Sequence, residues 1–434
     1  MPDIETDINL DGFSKNIPEG KRQNLLLKAK KIISNKKFLQ AFFLITLILI
    51  SISSIAVLTF SKGKKPTPSQ ARVIQKLRPP TPTDTPQQNE LKEVIGFLPS
   101  WTLAQGVAIE PKNLTQIIYF GLGVTEDGEL IQFTEDGRET SEWKYFKSDD
   151  FIQVRDEAKA SGTKVLLAIK SFNNDTIDRL TSNPYASDRL INSLLTLVER
   201  YNLDGINVDF EYVTDVDFPT VKFFNRFLES LASKLRGKDS ELILSVDVNA
   251  TAVLVDKAYD MVKIGEVVDQ VILMAYDYHR TESTRAGPVA PIDSAPNEHN
   301  IINSLDSLNG RVPREKIILG IPFYGYEWQT LNENNSSPVV ENTGALATYK
   351  RVRELIDARS DETIIWDGLA KSPWLTYLQS GAIKQIYYED DRSIAAKLEF
   401  AKGRGLSGLA IWALGYEGDY QEPWQVINSY IDSR

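Results

Sequence analysis

The stretch Leu203-Asp-Gly-Ile-Asn-Val-Asp-Phe-Glu211 sets two carboxylates and an amide at alternating positions. Read as a strand, it turns Asn207, Asp209 and Glu211 to one side and Ile206, Val208 and Phe210 to the other. A helical stretch, 193–200, comes just before it, and in an α/β chain the central strands are covered on both sides. The carboxylates then point into a partly desolvated interior near a strand's C-terminal end. Low dielectric there penalises charge and pushes carboxyl pKa values up and apart. A carboxyl that still holds its proton near neutral pH can serve as a general acid. Four further blocks fall at strand ends: Gly96-Phe-Leu-Pro-Ser-Trp101, Leu273-Met-Ala-Tyr-Asp277, Gly320-Ile-Pro-Phe-Tyr-Gly-Tyr326 and Gly408-Leu-Ala-Ile-Trp412. They supply the candidate ligand contacts Phe97, Met274, Tyr276, Asp277, Tyr324 and Trp412. Aromatic faces beside carboxylates suit a sugar ring, which presents apolar C–H faces and a scissile acetal needing protonation. Each aromatic is also of a type common in cores. Asp209 and Glu211 could belong to a structural ion-pair cluster, yet no Lys or Arg stands in the same strand. His279, just past the Tyr276-Asp277 block, reads as a loop residue.

The elements that must position these residues alternate. Short apolar segments at 94–98, 116–121, 164–169, 205–211, 242–248, 270–276, 316–322 and 407–412 read as strands. Helical periodicity fills stretches such as 151–160, 190–200, 221–235, 258–264 and 393–402. Eight strand–helix alternations predict a (β/α)8 TIM barrel. The competing doubly wound sheet would carry a Gly-rich first turn, whereas the first turn here is Leu98-Pro-Ser-Trp101. The long gap before the last strand holds a helix-like 347–359 and extended pieces at 363–367, 374–378 and 383–388. This predicts a small α+β insertion, about 327–390, in the seventh βα loop. Such loops lie at the C-terminal face, where the insertion would wall one side of a groove.

Composition narrows the partners. Of the 434 residues, 1–65 carry a net charge of +6 and the remainder −16. An acidic main domain is a poor partner for nucleic acid, which rewards clustered Lys and Arg. There is no cysteine, so disulfides and thiol catalysis are excluded, and the two histidines, His279 and His299, are not spaced as a metal pair. The segment 38–60 contains no charge, is rich in Leu, Ile, Phe and Ala, and is flanked by Lys36-Lys37 and Lys62. As a helix it is long enough to cross a hydrocarbon core of about 30 Å. It predicts a single membrane anchor rather than a cleaved signal peptide, whose apolar core would be shorter. The basic stretch 1–37 favours a cytoplasmic N-terminus and an extracytoplasmic main domain, 91–434. Between them, 61–90 is rich in Pro, Thr, Ser and Gln and reads as a semi-rigid tether.

Several of these blocks, in this order, resemble glycoside hydrolase family 18, whose members share the chitinase-type barrel. The acidic strand-four run of that family is matched at Asp204, Asp209 and Glu211, with Asn207 standing where Asp is commoner. Its Met-x-Tyr-Asp motif is matched at Met274, Tyr276 and Asp277, and its strand-eight Trp at Trp412. The stretches Gly320 to Trp328 and Tyr388-Glu-Asp-Asp-Arg-Ser393 resemble the branch with spore-cortex hydrolases and chitobiase-like enzymes. The third-strand block departs: Ala168-Ile-Lys-Ser171 replaces the usual Ser-x-Gly-Gly. The resemblance implies a retaining, substrate-assisted hydrolase that needs no cofactor or metal. In it Glu211 is the acid, Asp209 orients the substrate's acetamide N–H and stabilises the positive charge, and Tyr276 binds the acetamide oxygen. Asn207, Phe97, Met274, Asp277, Tyr324 and Trp412 line the sugar site. The expected substrate is an N-acetylated glycan, chitin-like or peptidoglycan, cut after N-acetylglucosamine. Two other readings make different demands. A non-catalytic glycan-binding protein on this fold would be expected to lack the acid Glu, and a phosphate-binding barrel would need a Gly-rich anion loop where acidic Gly415-Tyr-Glu-Gly-Asp419 stands.

Overall fold

The computed structural model describes residues 91–212, 218–254, 259–359 and 363–431. The anchor segment 38–60 and the tether 61–90 lie outside the described residues. Among those described, no helix is long and apolar enough to cross a membrane.

Eight parallel strands close a barrel in the order β1 (Glu93–Pro99), β2 (Gln116–Gly123), β3 (Lys164–Ser171), β4 (Gly205–Phe210), β5 (Ile243–Asn249), β6 (Gln270–Met274), β7 (Ile317–Pro322) and β13 (Gly408–Trp412), which returns to β1. The alternation expected for β4 holds. Ile206, Val208 and Phe210 join the shell between strands and outer helices, so Asn207 and Asp209 face the barrel interior. That interior is apolar at Ile95, Phe97, Ile118, Phe120, Leu166, Ile272 and Ile318. On β4 and β5 it turns polar. Leu244, Val246 and Val248 of β5 also pack outward, leaving Ser245, Asp247 and Asn249 on the inner face.

The expected helices form, most with longer bounds where capping residues start them, while the one read at 258–264 is shifted to Met261–Val267 behind the N-cap Asp260. Pro184 opens Pro184–Arg200, its fixed φ suiting the first helical position. Asp390 and Ser393 make a reciprocal capping box at the start of Asp391–Gly403. Three boundaries correct the expectations. β6 ends at Met274, and Asp277 beyond it takes a φ of 61°. The strand read through Glu211 stops at Phe210. Residues 347–348, read as helical, close strand β9 (Ala345–Thr348), and the helix begins at Tyr349.

The insertion forms, and begins earlier than residue 327. A five-stranded sheet runs β10 (Ile365–Asp367), β11 (Ser372–Gln379), β12 (Ala382–Tyr387), β8 (Tyr324–Gln329), β9. β8 starts two residues after β7 ends, so the block Gly320–Tyr326 spans the end of the barrel strand and the start of the insertion's first strand. Gly325 is required there, since a Cβ would meet the Tyr387 carbonyl oxygen at 1.9 Å.

Candidate active site

Asp209, 3 % exposed, points into the polar part of the barrel. Burial holds its carboxyl well above the usual range; the charges of Asp247 and Glu211 add to this and Lys170 opposes it. Glu211 follows β4 directly and is partly exposed, its backbone N–H donating to the Ser171 carbonyl at 3.0 Å. Burial raises its carboxyl too, against a hydrogen bond from the Asn249 side chain, with Asp277 raising and Arg280 lowering it. The Asn249 side-chain Oδ1 accepts from Thr251 N–H at 2.9 Å and Thr251 Oγ1 at 2.8 Å, which leaves the side-chain Nδ2 to donate to Glu211.

Tyr276 stands two residues beyond β6. Burial, then the charges of Asp247 and Asp209, push its hydroxyl far above the ordinary value, so it stays a hydrogen-bond donor. Asp277 accepts from Tyr324 Oη at 2.6 Å and Tyr326 Oη at 2.9 Å, which ties the barrel rim to β8 of the insertion. Burial raises the Asp277 carboxyl and these two hydroxyls lower it. Met274 is 9 % exposed at the end of β6.

Trp412 ends β13 and forms an aromatic floor. Phe120 meets it edge-on at 4.6 Å, Phe97 lies 5.5 Å away and Trp101 6.3 Å. Phe97 is buried, so it lies against Trp412 within the barrel, whereas Trp101 is 37 % exposed beside it. Lys170, in the departing third-strand block, pairs with Glu142 at 3.0 Å and sits 4.9 Å from the Phe120 ring centre.

The residues singled out from sequence lie on the inner face or just beyond the C-terminal ends of β1, β4, β6, β7 and β13, with Asn207 wholly buried. Asp247 and Asn249 were missed. Their signal was present, since Ser245, Asp247 and Asn249 alternate on β5 as Asn207, Asp209 and Glu211 do from β4 onward. His279 is a satisfied loop residue, its Nδ1 3.0 Å from the Pro288 carbonyl. Among the described residues no group of three or more His, Cys, Asp or Glu could hold a metal ion.

The chain is similar to known hydrolases. It is 28 % identical over 351 residues to the Drosophila melanogaster protein named "Probable chitinase 2", covering 74 % of this chain and 72 % of that one. It is 22 % identical over 365 residues to the cortical fragment-lytic enzyme of Bacillus subtilis strain 168, covering 82 % and 76 %. The fold matches a variant of the class V chitinase from Nicotiana tobaccum, solved in complex with NAG4, with a TM-score of 0.68 at 19 % identity over 78 % of this chain and 98 % of that one. Residues 93–417 match the family model for glycosyl hydrolases family 18, and the chain belongs to that family of glycoside hydrolases.

Proposed function

We propose that this chain is a membrane-anchored retaining hydrolase that cuts β-1,4 linkages after N-acetylglucosamine in peptidoglycan or a chitin-like glycan. The observation that carries the mechanism is the difference in access between the two acids of the motif. Glu211 is partly exposed, whereas Asp209 is 3 % exposed. A proton donor is thus available to a bound sugar, and Asp209 is too deep to act as a free carboxylate nucleophile. In a retaining reaction the nucleophile then comes from the substrate, and an N-acetyl sugar carries one in its 2-acetamido oxygen.

In this reading Glu211, kept protonated by burial, gives its proton to the glycosidic oxygen as that bond breaks. The acetamide oxygen closes on the anomeric carbon to form an oxazolinium ion. Asp209 accepts from the acetamide N–H, and Tyr276 donates its hydroxyl to the acetamide oxygen. Water, losing a proton to Glu211, reopens the ring with net retention. Holding nucleophile and carbon in one molecule supplies an effective-molarity advantage. Trp412 offers the apolar face on which the reacting sugar stacks.

Replacing Glu211 by Gln tests the acid. Turnover on N-acetylated oligomers is expected to fall about 10²–10⁴-fold at an unchanged melting temperature, and wild-type turnover would remove Glu211 from that role. Fully deacetylated oligomers are expected to stay uncut. Oligosaccharide binding without any product would favour a glycan-binding role instead. Mass analysis of digests of purified peptidoglycan and of chitin hexamer, side by side, reads which neighbouring sugar is accepted.

A further inference from the structure

A second buried carboxylate stands beside the site with no part in the steps above. Asp247 is 1 % exposed on β5. Asn207, on the adjacent strand, donates its Nδ2 to Asp247 Oδ1 at 2.8 Å and to Ser245 Oγ at 3.0 Å. Both amide hydrogens of Asn207 are thereby committed. Its Oδ1 has no hydrogen-bond partner, and neither has Oδ1 of Asp209, two residues along on the same face of β4. Two buried acceptors without donors are costly, about 1–3 kcal/mol each. One carboxyl proton between them removes that cost, because a protonated carboxyl donates where an ionised one only accepts.

We propose that Asp247 is a positioning residue for catalysis. It holds the Asn207 amide nitrogen, so that the amide oxygen is kept for a proton on Asp209, and it bears the negative charge that Asn207 cannot. Asp209 then rests as a neutral acid, donating to Asn207 and leaving its second oxygen to accept the substrate's N–H. The charge that steadies the oxazolinium is that of Asp247, relayed through the amide dipole. The other charged and titratable groups acting on this cluster are Glu211 from the end of β4, Tyr276 and Asp277 beyond β6, Lys170 of β3, Arg280 near Glu211, and Tyr259. Burial is the main cause holding Asp209 and Asp247 both above the usual range. The charge of Asp247 raises Asp209 further, so an ionised Asp247 favours a proton on Asp209.

The kinetic arm of the test rests on the hydrolase reading; the spectroscopic arm does not. Asp247→Asn keeps shape and an acceptor for Asn207 but removes the charge. It is expected to lower kcat about tenfold or more with KM nearly unchanged, and to move the acidic limb of the pH profile to lower pH. The double variant Asn207→Asp with Asp247→Asn moves the acid back to strand β4 and is expected to recover most of the lost kcat. Infrared difference spectroscopy follows the protonated-carboxyl C=O band of Asp209, identified by its loss in Asp209→Asn. That band is expected to titrate at lower pH in Asp247→Asn than in the wild type. An unmoved band overturns the proposal whether or not the protein hydrolyses anything. A wild-type pH profile in Asp247→Asn, or a folded double variant no better than Asp247→Asn, overturns it equally. Absence of turnover in the wild type on every N-acetylated glycan sinks the hydrolase reading alone, and the infrared titration still decides the role of Asp247.

Discussion

Asp209, Glu211 and Asp247 are all held above the ordinary carboxylate range, with burial the main cause in each. The unfolded chain releases these protons near the ordinary values, while the native chain keeps them to higher pH. Between those values the native state binds more protons, so stability falls as pH rises through that window. Asp209→Asn removes one such group, and its amide N–H can take over the donation to the Asn207 oxygen that a protonated Asp209 makes. The melting temperature is expected to rise by roughly 2–4 °C at pH 8, what about 1 kcal/mol gives in a domain of a few hundred residues, and by less at pH 5. Turnover is expected to collapse in the same variant, an exchange of stability against activity. Thermal melts at the two pH values check it; an equal gain at both would mean that the buried charge was not the cause. At this scale the sequence was readable where chemistry follows a period of two, as in Asn207, Asp209 and Glu211. It was not readable where the partner is set by strand register. Asn207 and Asp247 are 40 positions apart, and nothing local to either announces the hydrogen bond that joins them.

The elements show the same divide. The barrel strands were legible because each is a short apolar run between helical stretches, and the acids mark where β4 ends. The insertion's first strand was not, since Tyr324–Gln329 follows β7 almost directly and its partners β12 and β9 come later in the chain. Its function is visible only in the fold, where Tyr324 and Tyr326 hold Asp277. The run Tyr388-Glu-Asp-Asp-Arg-Ser393, noted for its resemblance, has a structural use: Asp390 and Ser393 cap a helix, and Glu389 pairs with Lys397 at 2.6 Å, both side chains fully buried. Lys397→Met leaves the Glu389 carboxyl without its partner and is expected to cost about 3–5 kcal/mol. Adding Glu389→Leu is expected to return most of it. Denaturant midpoints of the two variants read this, and a harmless single change would show that the pair does not support the helix. The last helix, Glu422–Ile431, is fastened similarly: Glu417 accepts from Trp424 Nε1 at 3.0 Å and from Gly415 N–H at 2.7 Å, burial pushing its carboxyl up to about 7. Glu417→Ala strands both donors and is expected to cost about 1–3 kcal/mol, measurable as a lower melting temperature with turnover unchanged.

For the whole molecule, the polarity of the barrel matters most. Leu91 and Lys92 lead into the N-terminal end of β1, while Glu211, Tyr276 and Trp412 gather at the C-terminal ends of their strands. The described chain thus enters the barrel at the end opposite its chemistry. In the anchored form we propose, the tether and anchor read from composition keep the hydrolase at a surface and within reach of an insoluble glycan. A stretch of this Pro-rich composition reaches about 3.1 Å per residue when extended. A chain beginning at residue 91 is expected to be soluble and to match the full chain in kcat on short N-acetylated oligomers. The full chain is expected to need detergent for extraction from membranes, and deletion of 61–90 to slow wall digestion by membrane-bound enzyme while sparing soluble oligomers. Fractionation followed by parallel assays on the two substrates separates the outcomes. Loss of oligomer turnover in the shortened chain would show that the barrel depends on what precedes it. Full-length protein in the soluble fraction would end the anchor reading while leaving Glu211 and its neighbours as they are.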